Sequence, residues 1–66
     1  MDHIIWHQRL NSKKAEIRYV NDRYRYEVFT LWYGHSGQLV NGPIVCSGTE
    51  DTFEAAKHEA LFILSE

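Results

Sequence analysis

The segment YRYEVFTLWY, residues 24–33, decides the predicted fold. Seven of its ten residues are aromatic or β-branched, the residue types that favour extended structure. Successive side chains of a strand point to opposite sides, so Tyr26 and Val28 share one side while Arg25 and Glu27 share the other. This segment is therefore predicted to be the longest and strongest strand of a sheet.

The two segments before it also predict strands. Residues 3–10 and residues 15–20 each alternate polar and apolar side chains, which is typical of half-buried strands. Asn21-Asp22 lies between two alternating segments and gives the signal of a tight hairpin turn. We therefore expect the strand at 15–20 to pair with the strand at 24–33.

The segment after the central strand is weaker. Residues 34–37 hold two glycines and predict a turn, and residues 39–46 predict a short strand. Asn41-Gly42-Pro43 interrupts that strand. Because proline cannot donate a hydrogen bond to a neighbouring strand, the segment either lies at a sheet edge or begins only at Ile44.

The end of the chain predicts a helix over residues 52–64. Five of its residues recur at about 100° per residue and form one apolar stripe: Phe53, Ala56, Ala60, Ile63 and Leu64. Lys57 lies at the edge of that stripe, where its stem can cover apolar surface. Three residues remain open as the N-cap: Ser47, Thr49 and Thr52.

Together these elements predict an α+β fold, in which an antiparallel meander of three to four strands carries one C-terminal helix on one face. The chain has 66 residues, so residues 1–66 form a single domain. A domain this small is marginally stable, because it buries only about 60% of the surface that its unfolded chain exposes. Cys46 is the only cysteine and cannot form an internal disulfide. A homodimer or a bound partner stays open as a further source of stability.

Several function classes are disfavoured by the same sequence. So small a chain leaves little material for a deep cleft, so we expect no enzyme, no catalytic residues and no small-molecule substrate. His3 and His7 stand about 13 Å apart on a strand, and no zinc-type spacing is present, so we expect no metal site and no cofactor. No long apolar run predicts a signal peptide or a membrane span, which favours a cytoplasmic location without membrane contact.

The charges are divided unevenly along the chain. The formal net charge is −2, yet residues 1–25 hold six Arg or Lys against three Asp or Glu, and residues 26–66 hold one against six. Such a division predicts one basic and one acidic surface. The alternative is an internal dipole that only keeps the protein soluble.

The alternation of side chains assigns residues to the two faces of the sheet. The predicted core face, under the helix, carries Ile4, Trp6, Ile17, Tyr19, Tyr26, Val28 and Trp32. The other face, which we call the open face, carries His7, Arg9, Glu16, Arg18, Arg25, Glu27, Phe29, Leu31 and Tyr33. A bulge could reverse the phase of the central strand and place Tyr24 and Tyr26 outside instead.

Two functions follow from the open face. Arginine binds phosphate and guanine, and aromatic rings stack on unpaired bases, so the first hypothesis is nucleic-acid binding. Its residues are Arg9, Arg18, Arg23 and Arg25. The alternative is an inhibitor or adaptor that binds a host protein, since an exposed apolar patch marks a partner surface. Its residues are Phe29, Leu31, Tyr33 and Phe62, or else the acidic helix.

The start of the helix contains Thr52-Phe53-Glu54-Ala55-Ala56, and residues 14–64 follow the order of sheet meander and helix. This layout resembles the three-stranded-sheet DNA-binding domains of plant ethylene-response factors and of phage integrase arm-binding modules. The resemblance implies a sheet that enters the major groove, with the helix packed behind it. The same segment preceded by Glu50-Asp51 is also similar to the HicB-like antitoxin core. Given the size of the chain, we expect a phage or another mobile element as its source.

Overall fold

A computed structural model of the chain describes residues 3–66. Its elements are β1 (Ile4–Leu10), β2 (Lys13–Val20), β3 (Arg23–Tyr33), β4 (Leu39–Glu50) and α1 (Phe53–Leu64). The four strands form one antiparallel sheet in the order β1-β2-β3-β4, and α1 packs on one face of it. The predicted α+β meander with a C-terminal helix is therefore confirmed.

The turn between β2 and β3 has the conformation that a two-residue hairpin needs. Asn21 and Asp22 both have positive φ, at 53° and 63°, and Val20 pairs directly with Arg23 across the turn. Two successive positive φ values twist the chain in the same sense as the flanking strands. Asn and Asp tolerate this region better than other residues with a side chain, so the predicted tight turn is confirmed.

The fourth strand is longer than predicted. β4 begins at Leu39 and continues past Cys46 to Glu50. Its pairing with β3 shifts twice, which leaves Val45 and the segment near Pro43 as extra residues on β4. As predicted, the strand lies at a sheet edge, where a proline is tolerated.

The extension of β4 decides which residue caps the helix. Ser47 and Thr49 lie inside the strand, so neither can be the N-cap. Thr52 has extended backbone, and its Oγ1 accepts a hydrogen bond from the Ala55 backbone N–H at 3.1 Å.

At 12 residues, α1 does not meet the length and hydropathy that a membrane-crossing helix requires.

The core lies between α1 and the middle of the sheet. The buried residues of the helix are small or at its end, and those of the sheet come from β2 and β3: Ala56, Ala60 and Leu64, with Ala15, Ile17, Tyr26 and Val28. The two alanines let α1 approach the sheet closely. Lys57 extends along the edge of this core, with its Nζ 5.9 Å from the Trp6 ring centroid.

The predicted core face is correct for Ile17, Tyr26 and Val28, and Trp6 packs half-buried against them. The phase reversal of β3 is therefore wrong. Three other core predictions are also wrong, because Ile4, Tyr19 and Trp32 are exposed, Trp32 at 57%.

The exposure of Ile4 and that of Trp32 have different causes. The register shift between Ile4 and Trp6 pairs Ile4 with Arg18 of the open face, whereas Trp32 is exposed because the reach of the helix is limited. α1 spans about 18 Å, whereas the 11 residues of β3 span roughly 36 Å. The helix ends near Lys13, whose Nζ donates to the Glu66 carbonyl oxygen at 2.8 Å. Trp32 lies beyond that level, where nothing within residues 3–66 covers it fully.

Candidate functional site

The open face of the sheet carries most of the basic side chains. Alternation along β1, β2 and β3 places Arg9, Lys14, Arg18 and Arg25 on the side opposite α1, with Glu16 and Glu27 between them. β2 begins at Lys13 rather than at 15, and this adds Lys14 to the predicted residues. Lys14 and Arg18 are an even number of positions apart, so they lie on the same side of the strand. This spacing is the sequence signal that could have identified Lys14.

Five of these side chains form a connected row of ion pairs, which we call the charge ladder: Lys14, Glu16, Arg18, Glu27 and Arg25. The register places Glu16 opposite Glu27 and Arg18 opposite Arg25. Like charges that face each other across two strands repel and destabilise the sheet unless opposite charges lie nearby. Pairing along each strand and across the diagonal removes this repulsion.

Arg18 connects the two strands of the charge ladder. Its Nη2 lies 3.1 Å from Glu16 Oε1, and its Nε lies 3.5 Å from Glu27 Oε1. Arg25 Nε lies 3.3 Å from the other oxygen of Glu27. Lys14 Nζ lies 3.2 Å from Glu16 Oε2.

Glu16 is the most buried member of the charge ladder, with 2% of its surface exposed. A carboxylate can be buried at this depth only when opposite charges or hydrogen bonds compensate it. Both of its oxygens have a cationic partner, so Lys14 and Arg18 have a structural role. Arg25 forms its ion pair with Glu27 through Nε, and 46% of its side-chain surface is exposed.

Two of the predicted arginines lie at opposite ends of this surface. Arg23 is at the start of β3, and its Nη1 lies 2.8 Å from Asp51 Oδ1, just before the helix. Arg9 is on the edge strand β1, and no carboxylate within residues 3–66 lies within 4 Å of it. The structure thus brings Arg18 and Arg25 together but places Arg9 and Arg23 apart from them.

A concave region lies beside Arg9 on the open face, and we call it the hollow. Its volume is about 300 Å³, and its wall combines side chains from all four strands: His7, Arg9, Lys14, Leu31, Leu39 and Asn41. A second concave region of about 230 Å³ shares Arg9, Leu31 and Leu39 with it and extends to Tyr33. Asn41 and Leu39 were not predicted as site residues, because the register of β4 depends on two bulges that the sequence does not reveal.

The apolar residues predicted as a protein interface are divided between two sides of the molecule. Phe29, Leu31 and Tyr33 lie on the open face, where Ile44 pairs with Phe29 and Leu39 pairs with Tyr33. Tyr33 is 78% exposed. Phe62 is 61% exposed on α1, which packs on the opposite face, so the structure does not bring it to the other three.

The surface on the helix side has the opposite charge character. α1 carries Glu54 and Glu59 against Lys57, and Glu50 and Asp51 precede it. Burial raises the pKa of the Tyr26 phenol under the helix, and the nearby Cys46, Glu59 and Glu50 add to this rise. No group of three metal-binding side chains occurs in the part of the chain that the structure describes.

No family model matches the chain, and neither the curated proteins nor the solved structures give a significant match. A function therefore has to be inferred from the charge and geometry of this surface.

Proposed function

We propose that the chain is a non-enzymatic nucleic-acid-binding domain that acts through the open face of its sheet. One observation carries the proposal: Arg9, Lys14, Arg18 and Arg25 extend across a face that the helix leaves uncovered, with two carboxylates among them. A cationic surface of this kind attracts a phosphate backbone, and arginine can bind phosphate through two hydrogen bonds.

The rest of the surface supports the same orientation. The acidic residues of α1 and of the segment before it lie on the helix side. The electrostatic field that results from this distribution of charges favours the approach of an anion to the open face. The domain would therefore meet a polyanion with the sheet and keep the helix away from it. Arg23 adds a further cation at the far end of β3, paired with Asp51.

The charge ladder limits how strongly this surface binds. Arg18 contacts two carboxylates, so a phosphate must compete with Glu16 and Glu27 for it. Among residues 3–66, Arg9 has no carboxylate within 4 Å and Arg25 contacts only Glu27, so these two arginines meet the least competition. We therefore expect modest affinity with clear salt dependence.

A matched pair of substitutions tests the proposal. Glu27→Gln and Glu54→Gln change the net charge equally, but Glu27 lies in the charge ladder and Glu54 on the helix. Fluorescence anisotropy with labelled oligonucleotides should show clearly tighter binding for Glu27→Gln and little change for Glu54→Gln. Arg25→Gln should weaken binding and reduce the slope of log K against log salt by about one.

Equal effects of the two glutamate substitutions would reject the open face as the binding surface. Absence of any salt-dependent binding to single strands or duplexes would reject nucleic acid as the ligand. The protein-binding function would then lead, since Tyr33 and Ile44 each expose apolar surface. Capture from a lysate treated with nuclease distinguishes a protein partner from one held through nucleic acid.

Three further properties belong to the same proposal. We infer a cytoplasmic domain from a phage or another mobile element, with a homodimer as one way to add stability. Light scattering after size exclusion measures the mass in solution, and a monomer at all concentrations would exclude the dimer.

A further inference from the structure

We propose that the hollow binds one unpaired nucleotide, so that the ligand of the open face is single-stranded nucleic acid. This inference rests on the proposed function and specifies its ligand. The hollow, at about 300 Å³, has the size of a small ligand pocket and continues into the second concave region of about 230 Å³. A single base with its phosphate is a group of suitable size for this space.

The chemistry of the wall fits the parts of a nucleotide. Leu31 and Leu39 supply apolar surface, and the exposed ring of Tyr33 stands at the adjoining region, where a base can stack. The amide of Asn41 offers both donors and an acceptor to the edge of a base. Arg9, which has no carboxylate within 4 Å among residues 3–66, is placed to bind the phosphate.

The width of the sheet disfavours a duplex in the same place. The hollow is lined from β1 by His7 and Arg9 and from β4 by Leu39 and Asn41, so it spans all four strands. Three spacings of about 4.8 Å place the outer strands roughly 14 Å apart. The major groove of DNA is about 12 Å wide and admits a two-stranded ribbon, so the whole sheet cannot enter it.

A paired base is also unavailable to the hollow. In a duplex each base is stacked between its neighbours and offers only its edge in a groove, whereas the hollow needs a base that is turned out. A duplex can touch the charge ladder with its phosphates and still leave the hollow empty. Single strands should therefore gain a contribution that duplexes lack.

The experiment uses one mixed-sequence oligonucleotide, as a labelled single strand and annealed to its complement, in anisotropy titrations at fixed salt. The single strand should bind about tenfold more tightly. Tyr33→Ala should weaken single-strand binding about tenfold, because one stacked ring is lost. Asn41→Ala should also reduce the preference for the single strand, because the amide no longer contacts the base edge. Duplex binding should stay unchanged in both variants. Phe62→Ala, which removes an exposed ring from the opposite side, should change neither.

A second measurement observes the hollow directly. Amide resonances of Leu31, Leu39 and Asn41 should shift on addition of the single strand and stay in place with the duplex. Equal binding of both probes, with Glu27→Gln still tightening each, would overturn this inference and leave the proposed function standing. Absence of binding to either probe would reject both.

Discussion

The ring of Tyr26 lies directly over the backbone of Gly48, its register partner on β4. A methyl group placed on Gly48 would come within 2.5 Å of Tyr26 Oη and 2.7 Å of Cζ. The missing side chain of Gly48 thus provides the space in which the Tyr26 ring packs, 9% exposed, beneath the helix.

Replacing Gly48 should therefore destabilise the fold by crowding. Gly48→Ala is expected to lower the free energy of unfolding by about 1–3 kcal/mol, because the ring must leave its position. Urea denaturation followed by tryptophan fluorescence measures this change. Ser47→Ala, on the exposed neighbouring residue, serves as the control and should stay within about 0.5 kcal/mol of the parent. Equal stability of Gly48→Ala would contradict the close contact.

The phenol of Tyr26 should make the stability sensitive to alkaline pH. Burial, with Cys46, Glu59 and Glu50 nearby, raises its pKa in the folded protein above the ordinary value of about 10. The native state then holds the proton more tightly than the unfolded state. Its contribution is complete below about pH 10 and is lost as the pH rises through the folded pKa.

Tyr26→Phe removes this titration. Its free energy of unfolding should match the parent at neutral pH and fall less steeply than that of the parent above pH 10. Urea denaturation of both proteins across this range measures the difference. Parallel pH profiles would show that the Tyr26 proton does not contribute.

The reach of the helix predicts an order of importance among core residues. Ile17 is fully buried, so Ile17→Ala should cost about 2–5 kcal/mol. Replacing a buried tryptophan with alanine lowers the free energy of unfolding by about 3–5 kcal/mol. Trp32→Ala should lower it clearly less, because 57% of Trp32 is exposed. If Ile17→Ala does not fold, Ile17→Val should still show a loss of about 0.5–1.5 kcal/mol. A cooperative unfolding transition lost in Trp32→Ala and kept in Ile17→Ala would reverse this order.

The N-cap of α1 gives a further distinction. Thr52→Ala removes the acceptor of the Ala55 N–H and should lower stability by about 1 kcal/mol. Thr49→Ala makes the same chemical change on an exposed residue inside β4, so it should not loosen the helix start. Amide exchange at Ala55 should accelerate in Thr52→Ala alone. Faster exchange in Thr49→Ala would argue for a different cap.

Local patterns in the sequence were sufficient for the order of the elements. The period of Phe53, Ala56 and Ala60 predicts a helix that packs on one side. The alternation in 24–33 divides the residues of β3 between two faces, but it left open which face is buried, because both faces carry apolar side chains. The Asn21-Asp22 turn was predictable because few residues tolerate positive φ. Each of these signals acts over a few neighbouring residues.

What the sequence could not supply depends on distances between elements. The exposure of Trp32 follows from where α1 ends along β3, and periodicity contains no such length. The hollow depends on the bulges of β4, which bring Leu39 and Asn41 level with Tyr33 and Leu31. The ion pairs of Arg18 were also missed, since they require the register that places Glu16 opposite Glu27.

The agreement between strand order and chain order has a consequence for folding kinetics. Every strand pairs with its neighbour along the chain, so each hairpin closes a short loop at small entropic cost. The docking of α1 then joins distant residues such as Lys13 and Glu66. We expect rapid formation of the sheet around the Asn21-Asp22 turn and later arrival of the helix, so substitutions at Ala60 should chiefly accelerate unfolding.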